Sequence, residues 1–408
     1  MAEGVSGKKA PPDGGWGWMV VVGSFVCYFI ADGWAYSFGV LFTELLEYFD
    51  EGKGKTATIG ALVYAVPLLI SPLPCALCNL YGCRPVAIAG GCICTVSFIA
   101  SFFANSVEML MVTLGIAVSI GLSMTYVPAI IVVMFYFEKR RGLATGLAVT
   151  GSGIGAFVYP VFLEFLLSTY SWRGTMFLLG GLSLHIIAAG ALFFPIKENS
   201  RKETEIPLNP SSNETEKMEN DDSESNNCQK IGHEMVLIKN SICDVEIYKN
   251  VVFILFCISA LICYFWVGTP YVYLVDKAIL LGFTSTKSAF LLSAIGIART
   301  VGQIALGALA DHKSVNKIIL YGVSIFTCGL ATTLLPLCVT YPLLIMYSLV
   351  FGFFISVTYS LQTLCIVDIC GLDKASNAFG IYQLVQGLAT LLGTPIPGKL
   401  VLYNKCFL

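Results

Sequence analysis

Charge is scarce in this chain: Asp, Glu, Lys and Arg make up 12% of 408 residues, while 56% are hydrophobic. An average soluble domain carries roughly 25% charged residues, so a water-facing globular surface is excluded. A net charge of -2 held mostly in polar links leaves no basic patch for nucleic acid. Histidine is rarer still, at three residues, and the chain has no Ser-His-Asp set, no phosphate-binding loop and no metal-ligand cluster. No catalytic residue, metal or cofactor is expected, and the chain is not read as an enzyme. A cleavable leader is not expected either, because polar N-terminal residues run straight into a first apolar segment long enough to span.

Cysteine is plentiful, at 15 residues. In a small secreted domain that number would mean a disulfide framework. Here Cys27, Cys92, Cys94, Cys257, Cys263 and Cys328 lie inside apolar segments and read as small buried hydrophobes. Cys75 and Cys78 form a C-x-x-C without a second pair or a nearby histidine, so zinc and redox roles are not expected.

A bilayer-spanning helix needs about 20 apolar residues. That template finds eleven segments, at Trp16–Phe42, Ala57–Leu80, Pro85–Phe103, Glu108–Phe135, Gly142–Leu167, Trp172–Phe194, Val251–Leu274, Ser288–Ala310, Lys317–Leu337, Pro342–Val367 and Ala375–Leu402. The expected class is an all-α polytopic membrane protein in contact with lipid. Its predicted organisation is an N-terminal stretch (1–15), a six-helix bundle (16–194), a linker (195–250) and a five-helix bundle (251–408). The linker is rich in Asn, Ser, Glu and Lys and cannot bury enough apolar surface to order itself. Its acidic run around Ser223 and Ser225 reads as a solvated tether.

Orientation follows from the cations. An N-terminus in the cytoplasm puts Lys8, Lys9, Arg84, Lys139, Arg140, Arg141, Lys313, Lys317 and the linker on one side, while the links Ala104–Val107 and Val339–Tyr341 hold no cation. That asymmetry fits the positive-inside rule, and the Asn213-Glu214-Thr215 sequon is then expected to stay unused. The stretch Tyr136–Gly155 sets three cations before a segment with glycines at 142, 146, 151, 153 and 155. Such a face lets another backbone approach closely. Gly142-Leu143-Ala144-Thr145-Gly146 has a counterpart in Ala375-Ser376-Asn377-Ala378-Phe379-Gly380, so the second half reads as a degenerate copy of the first, the parallel-repeat transporter plan.

Two motifs carry a family resemblance. Pro11-Pro12-Asp13-Gly14-Gly15-Trp16-Gly17-Trp18 resembles the first signature of the monocarboxylate transporter family of the major facilitator superfamily. Tyr136-Phe137-Glu138-Lys139-Arg140-Arg141-Gly142-Leu143-Ala144-Thr145-Gly146 through Gly151 resembles its second, with Thr150 in place of a small alanine. The resemblance implies a major facilitator fold of two pseudo-symmetric bundles, twelve helices, plasma-membrane location and alternating access. It also implies gating or anchoring roles for Asp13, Gly14, Trp16, Trp18, Lys139, Arg140 and Arg141, and in some members an immunoglobulin-like single-pass chaperone glycoprotein as partner. With eleven segments in this sequence, the twelfth is expected to be missing through truncation.

Ionisable residues within the bilayer cost at least ~2.5 kcal/mol on insertion scales, so each carries a functional hypothesis. Arg299 stands in an otherwise neutral run and is the candidate for a substrate carboxylate. Glu164 reads as reaching water, His185 as bonded within its helix, and the aromatic residues around Tyr264, Tyr271 and Tyr273 as packing. In proton-coupled relatives the eighth helix carries an Asp followed four residues later by an Arg, and the first carries a Lys. Matching the segments puts Arg299, Gln303 and Tyr36 at those places, with Asp32 one turn before Tyr36. The expected substrate site is therefore Arg299, Asp32, Tyr36 and Gln303, with Asp32 and Arg299 a charge-swapped pair. The expected function is secondary transport of a small organic solute, a monocarboxylate or related metabolite. The alternatives are a pH-independent facilitator of a neutral or zwitterionic solute such as an amino acid or creatine, and a non-transporting sensor or truncated product.

Overall fold

The structure is a computed structural model in which residues 13–51, 53–195 and 245–393 are described. Lys8, Lys9, the Pro11-Pro12 start of the first signature, Asn213, Ser223, Ser225 and the chain after Gly393 lie outside the described residues. Among the described residues every regular element is helical.

The first helix, α1 (Trp16–Phe49), has 34 residues, roughly 50 Å at 1.5 Å per residue, against about 30 Å of hydrocarbon. It outruns the predicted end at Phe42 and stops where Asp50 turns left-handed at φ 49°. The second segment is bent: α2 (Lys53–Leu69) and α3 (Pro72–Tyr81) meet at 45°. Pro67 lies inside α2 and donates no backbone hydrogen bond. Its own carbonyl accepts from the Ser71 hydroxyl at 2.8 Å and the Ser123 hydroxyl at 2.7 Å, which pins the bend. Next come α4 (Cys83–Phe102), α5 (Val107–Leu110), a π-helical stretch Met111–Val118, and α6 (Ser119–Tyr136).

Helix α7 (Arg141–Ala191) runs 51 residues, more than twice a bilayer crossing. Non-helical backbone at Ser171, φ 57° and ψ 174°, divides it where the fifth and sixth predicted segments part. The second half comprises α8 (Val245–Lys249), α9 (Val251–Trp266), α10 (Gly268–Leu280), α11 (Ser285–Ala310), α12 (Lys317–Leu334), a 3₁₀ turn Leu335–Leu337, α13 (Tyr341–Ile355), α14 (Val357–Ser360), α15 (Gln362–Cys370) and α16 (Leu372–Gly393). Asn250, Thr284 and Asn316 cap α9, α11 and α12 through side-chain oxygens, satisfying orphan N–H groups that lipid cannot. Among the described residues seven helices are long and apolar enough to cross a membrane, eight with the bent pair counted as one span.

Glycine sets where helices touch. Behind Gly151 and Gly155 lie the carbonyls of Phe25 and Phe29 on α1. Gly142 and Gly146 face the carbonyls of Gly307 and Gln303 on α11. Across the pseudo-symmetric seam, Gly380 of α16 sits on Pro72 and Cys75, and Gly387 sits on Leu68 and Leu69. A side chain at any of these places would push the helices apart, as expected for packing of helices in lipid. One buried cluster belongs to the first half around Trp34, Leu110 and Trp172, another to the second around Leu291 and Phe351, and the largest draws on both.

Candidate functional site

Four elements converge on Arg299 at mid-depth. It lies about midway along α11 and is 3% exposed. Its Nη2 donates to Ser152 Oγ of α7 at 3.1 Å, and its Nη1 to the Tyr36 hydroxyl of α1 at 3.5 Å. The guanidinium carbon lies 5.1 Å from the Tyr36 ring centre and 4.8 Å from that of Tyr359 on α14. The two tyrosine hydroxyls meet each other at 3.1 Å. The cation is therefore held between aromatic faces, an arrangement that stabilises a desolvated guanidinium and fixes its plane.

Asp32 stands one turn from Tyr36 on α1 and is half-buried. It reaches the Ser152 hydroxyl that Arg299 also uses and feels the guanidinium charge. The link between the two charges thus runs through Ser152. Gln303, one turn beyond Arg299, is fully buried, and neither atom of its amide has a hydrogen-bond partner among the described residues. Its carbonyl oxygen Oε1 lies with Thr300 against the bare side of Gly153 on α7, where Thr300 leaves no room for a side chain. Tyr64 of α2 stacks edge-on against Tyr36 with ring centres 5.9 Å apart, and is 39% exposed.

A second polar layer lies across the other seam. The Tyr126 hydroxyl of α6 pairs with Ser71 Oγ at 2.9 Å and accepts from Gln383 Nε2 of α16 at 2.9 Å. Gln386 Nε2 donates to Gln362 Oε1 at 2.9 Å. These bonds join α6 of the first half to α16 of the second, and α15 to α16 within the second, so Gln383 is held by the facing half and Gln386 by its own.

At the end where α1 begins, hereafter the Asp13 end, the two signature motifs dock on each other. Asp13, at φ 46°, accepts from the backbone N–H groups of Glu138 and Lys139 at 2.8 and 2.9 Å, and its own N–H donates to the Tyr136 carbonyl at 3.2 Å. The Gly14 carbonyl accepts from Gly17 N–H at 3.1 Å and starts the first turn of α1. Trp16 Nε1 donates to the Leu192 carbonyl at 3.0 Å, and its ring meets Phe194 edge-on at 5.4 Å. Trp18 meets Phe137 edge-on at 5.1 Å. Lys139 and Arg140 are exposed, whereas Arg141 is buried and donates through Nε to the Phe137 carbonyl at 2.8 Å and to Met134 at 3.2 Å. Two of the three cations therefore stand free of the fold's interior, and the third staples the α6–α7 turn.

The same end is tied across the halves. Asp311, just past α11, accepts from the N–H groups of Gly142 and Leu143 at 2.6 and 2.8 Å. Asn79 Nδ2 donates to Asn377 Oδ1 at 2.6 Å, and the Ser376 hydroxyl to the Cys75 carbonyl at 3.4 Å. The carboxyl of Asp311 is pushed above the usual carboxylate range by burial, against the pull of the two amides, Lys317 and Arg141.

Other candidate residues lie apart from this site. Glu164 is exposed near the far end and lines a cavity of about 510 Å³ with Val40, Thr43, Glu44 and Leu167, away from Arg299. His185 is exposed and pairs through Nδ1 with the Leu182 carbonyl of its own helix at 3.0 Å. Tyr264 is half-buried and donates to the Thr358 carbonyl at 3.3 Å; the side chains of Tyr271 and Tyr273 lie outside the described residues. The twelve described cysteines are free thiols, and no metal-binding group is found among the described residues.

Several residues escaped the sequence reading. Ser152 sits inside the second signature's helix and passed as one more small residue. Tyr359 and Tyr64 lie in apolar segments with no periodic signal. Lys277 fell beyond the predicted end of its segment, yet it is buried and donates through Nζ to the Leu335 carbonyl at 2.8 Å. Lys277 thereby closes the carbonyl end of α12, where a cation is favoured.

Helices in two halves, seamed by glycines and enclosing a charged site at mid-depth, define a membrane carrier. Residues 24–394 match the Major Facilitator Superfamily family profile. The fold resembles the solved structure of the proton:xylose symporter XylE bound to 6-bromo-6-deoxy-D-glucose, with a TM-score of 0.64 and 13% identity over 96% of this chain and 89% of that one. Monocarboxylate transporter 12 of Xenopus laevis is 33% identical over 96% of this chain and 84% of its own length. Monocarboxylate transporter 14 of Mus musculus is 31% identical over 95% and 85%, and monocarboxylate transporter 2 of the same species is 30% identical over 97% and 80%. The chain belongs to the monocarboxylate transporter family, and it is a multi-pass membrane protein that moves a small solute by secondary transport.

Proposed function

We propose that the protein carries a small organic monocarboxylate across the plasma membrane by alternating access, with the Asp13 end in the cytoplasm. The observation that carries this reading is the Arg299 guanidinium fixed between the Tyr36 and Tyr359 rings at mid-depth. A planar guanidinium with its orientation set presents paired N–H donors to a carboxylate. The site draws on both halves: Tyr36, Asp32 and Ser152 from one, Arg299 and Tyr359 from the other. A ligand there is gripped by both bundles, 16–194 and 251–393, and its binding is coupled to their rocking.

The hydrogen bonds between the halves described above lie at mid-depth and at the Asp13 end. They support a state closed toward the cytoplasm, with Tyr64 facing the cleft on the other side. Because Arg299, Gln303 and Tyr36 stand where proton-coupled relatives carry Asp, Arg and Lys, transport is not driven through that proton pair. Asp32 at the shared Ser152 hydroxyl supports a second reading, a zwitterionic solute whose cationic group meets Asp32 while its carboxylate meets Arg299.

A panel of radiolabelled solutes offered at two external pH values separates the readings. A monocarboxylate carrier takes up the acid and rejects its neutral amide, whereas a zwitterion carrier requires both charges and loses uptake in Asp32→Asn. Uptake of the amide at the same rate as the acid would contradict both. Co-expression with a single-pass immunoglobulin-like glycoprotein, read by surface labelling, tests the chaperone role that the resemblance implies.

A further inference from the structure

Tyr64 combines two properties that rarely occur together in a membrane helix. It is 39% exposed, yet it stands beside the Arg299 site, with Tyr36, Asp32 and Arg299 all within electrostatic reach. Its ring is edge-on to Tyr36 at 5.9 Å, and Tyr36 itself bonds across the halves to Tyr359. Tyr64 therefore faces the cleft between the halves rather than lipid. Lipid exposure would explain a bare ring on an outward helix face; it does not explain one beside the buried cation.

The centre-to-centre steps from Arg299 to Tyr36 and from Tyr36 to Tyr64, 5.1 and 5.9 Å, keep the bare ring no farther from the guanidinium than those two steps laid end to end. A two-carbon acid seated on Arg299 leaves Tyr64 uncovered. A carboxylate bearing an aryl group on a short spacer covers it, adding an aromatic pair worth about 0.5–1.5 kcal/mol beyond its area.

We infer that the carrier takes aryl-substituted carboxylates in preference to short alkyl ones, with Tyr64 as the residue that recognises the ring. This rests on the carboxylate reading of Arg299, which places the ligand's other end. The rings of Tyr36 and Tyr359 are occupied by the guanidinium, so ring recognition falls to Tyr64.

The test compares uptake of phenylacetate and acetate, normalised to surface protein, in wild type, Tyr64→Ala, Tyr64→Phe and Arg299→Ala. Wild type is expected to show the lower KM for phenylacetate. Tyr64→Ala is expected to raise that KM roughly three- to tenfold and to leave the acetate KM within about twofold, while Tyr64→Phe keeps the preference. Equal shifts for both acids in Tyr64→Ala, or no aryl preference in wild type, would overturn the inference while leaving Arg299 intact. Phenylacetate uptake that survives in Arg299→Ala but falls in Tyr64→Ala would instead overturn the carboxylate reading and spare ring recognition. A wild-type protein that moves neither acid overturns both.

Discussion

Asp311 accepts the Gly142 N–H at 2.6 Å, and this bond joins the end of α11 in the second half to the start of α7 in the first. The Leu143 N–H reaches the same carboxylate at 2.8 Å. A carboxylate on the first amides of a helix satisfies orphan donors and complements the helix dipole. The bond therefore acts as a latch between halves at the Asp13 end.

Asp311→Ala is expected to loosen that end, by about 0.5–2 kcal/mol on the scale of lost caps. A cysteine placed nearby would then react faster with a membrane-impermeant maleimide applied from that side. The pH dependence has a definite sign. The latched carboxyl has a raised pKa through burial, so the latched state binds a proton more tightly than an unlatched, solvated one. Acidification through the window just above the ordinary carboxylate range should stabilise the latch, and alkalinisation should weaken it. Maleimide rates that rise on acidification would contradict this.

Asp13 holds the Glu138 and Lys139 amides and so fastens the first signature to the second. Asp13→Ala is expected to cost about 0.5–2 kcal/mol, lowering the melting temperature in detergent, while Asp13→Asn keeps part of the acceptor. Equal losses in the two variants would argue for charge rather than the two bonds.

Gly146 abuts the Gln303 carbonyl across the α7–α11 seam. Gly146→Val leaves no room for that carbonyl, so the halves cannot close at the Asp13 end. The expected result is normal surface amount with uptake lost by at least roughly tenfold, matching a 1.4 kcal/mol bias between states. Full uptake by this variant would show that the seam does not need to close.

The buried Gln303 amide without a protein partner costs about 1–3 kcal/mol for each unmet group. Gln303→Leu is expected to raise the melting temperature and slow exchange between the two facing states, because it relieves the arrangement described here. A lower melting temperature would mean that the amide finds partners in this state.

The membrane class and the glycine seams were legible because each rests on a local signal: run length, cation placement or small-residue spacing. Arg299 and Asp32 were legible for the same reason, as charges in apolar runs. Their mutual arrangement was not. Ser152 bridges α7 to α11, and nothing in a serine's local sequence says which helix it meets. Tyr64 and Tyr359 were hidden because an aromatic residue in an apolar segment reads alike whether it faces lipid, core or cleft. The breaks at Val267 and Ser356, inside the segments Val251–Leu274 and Pro342–Val367, were missed because hydropathy averages over a window and does not register a local interruption of a helix.

The most direct test of the central claim is uptake of a radiolabelled monocarboxylate by wild type, Arg299→Lys and Arg299→Ala at matched surface amount. Lysine keeps the charge but loses the paired donors and the ring stacking. A clamp at Arg299 gives strongly reduced uptake in Arg299→Lys and none above background in Arg299→Ala. Undiminished uptake in Arg299→Ala would contradict it.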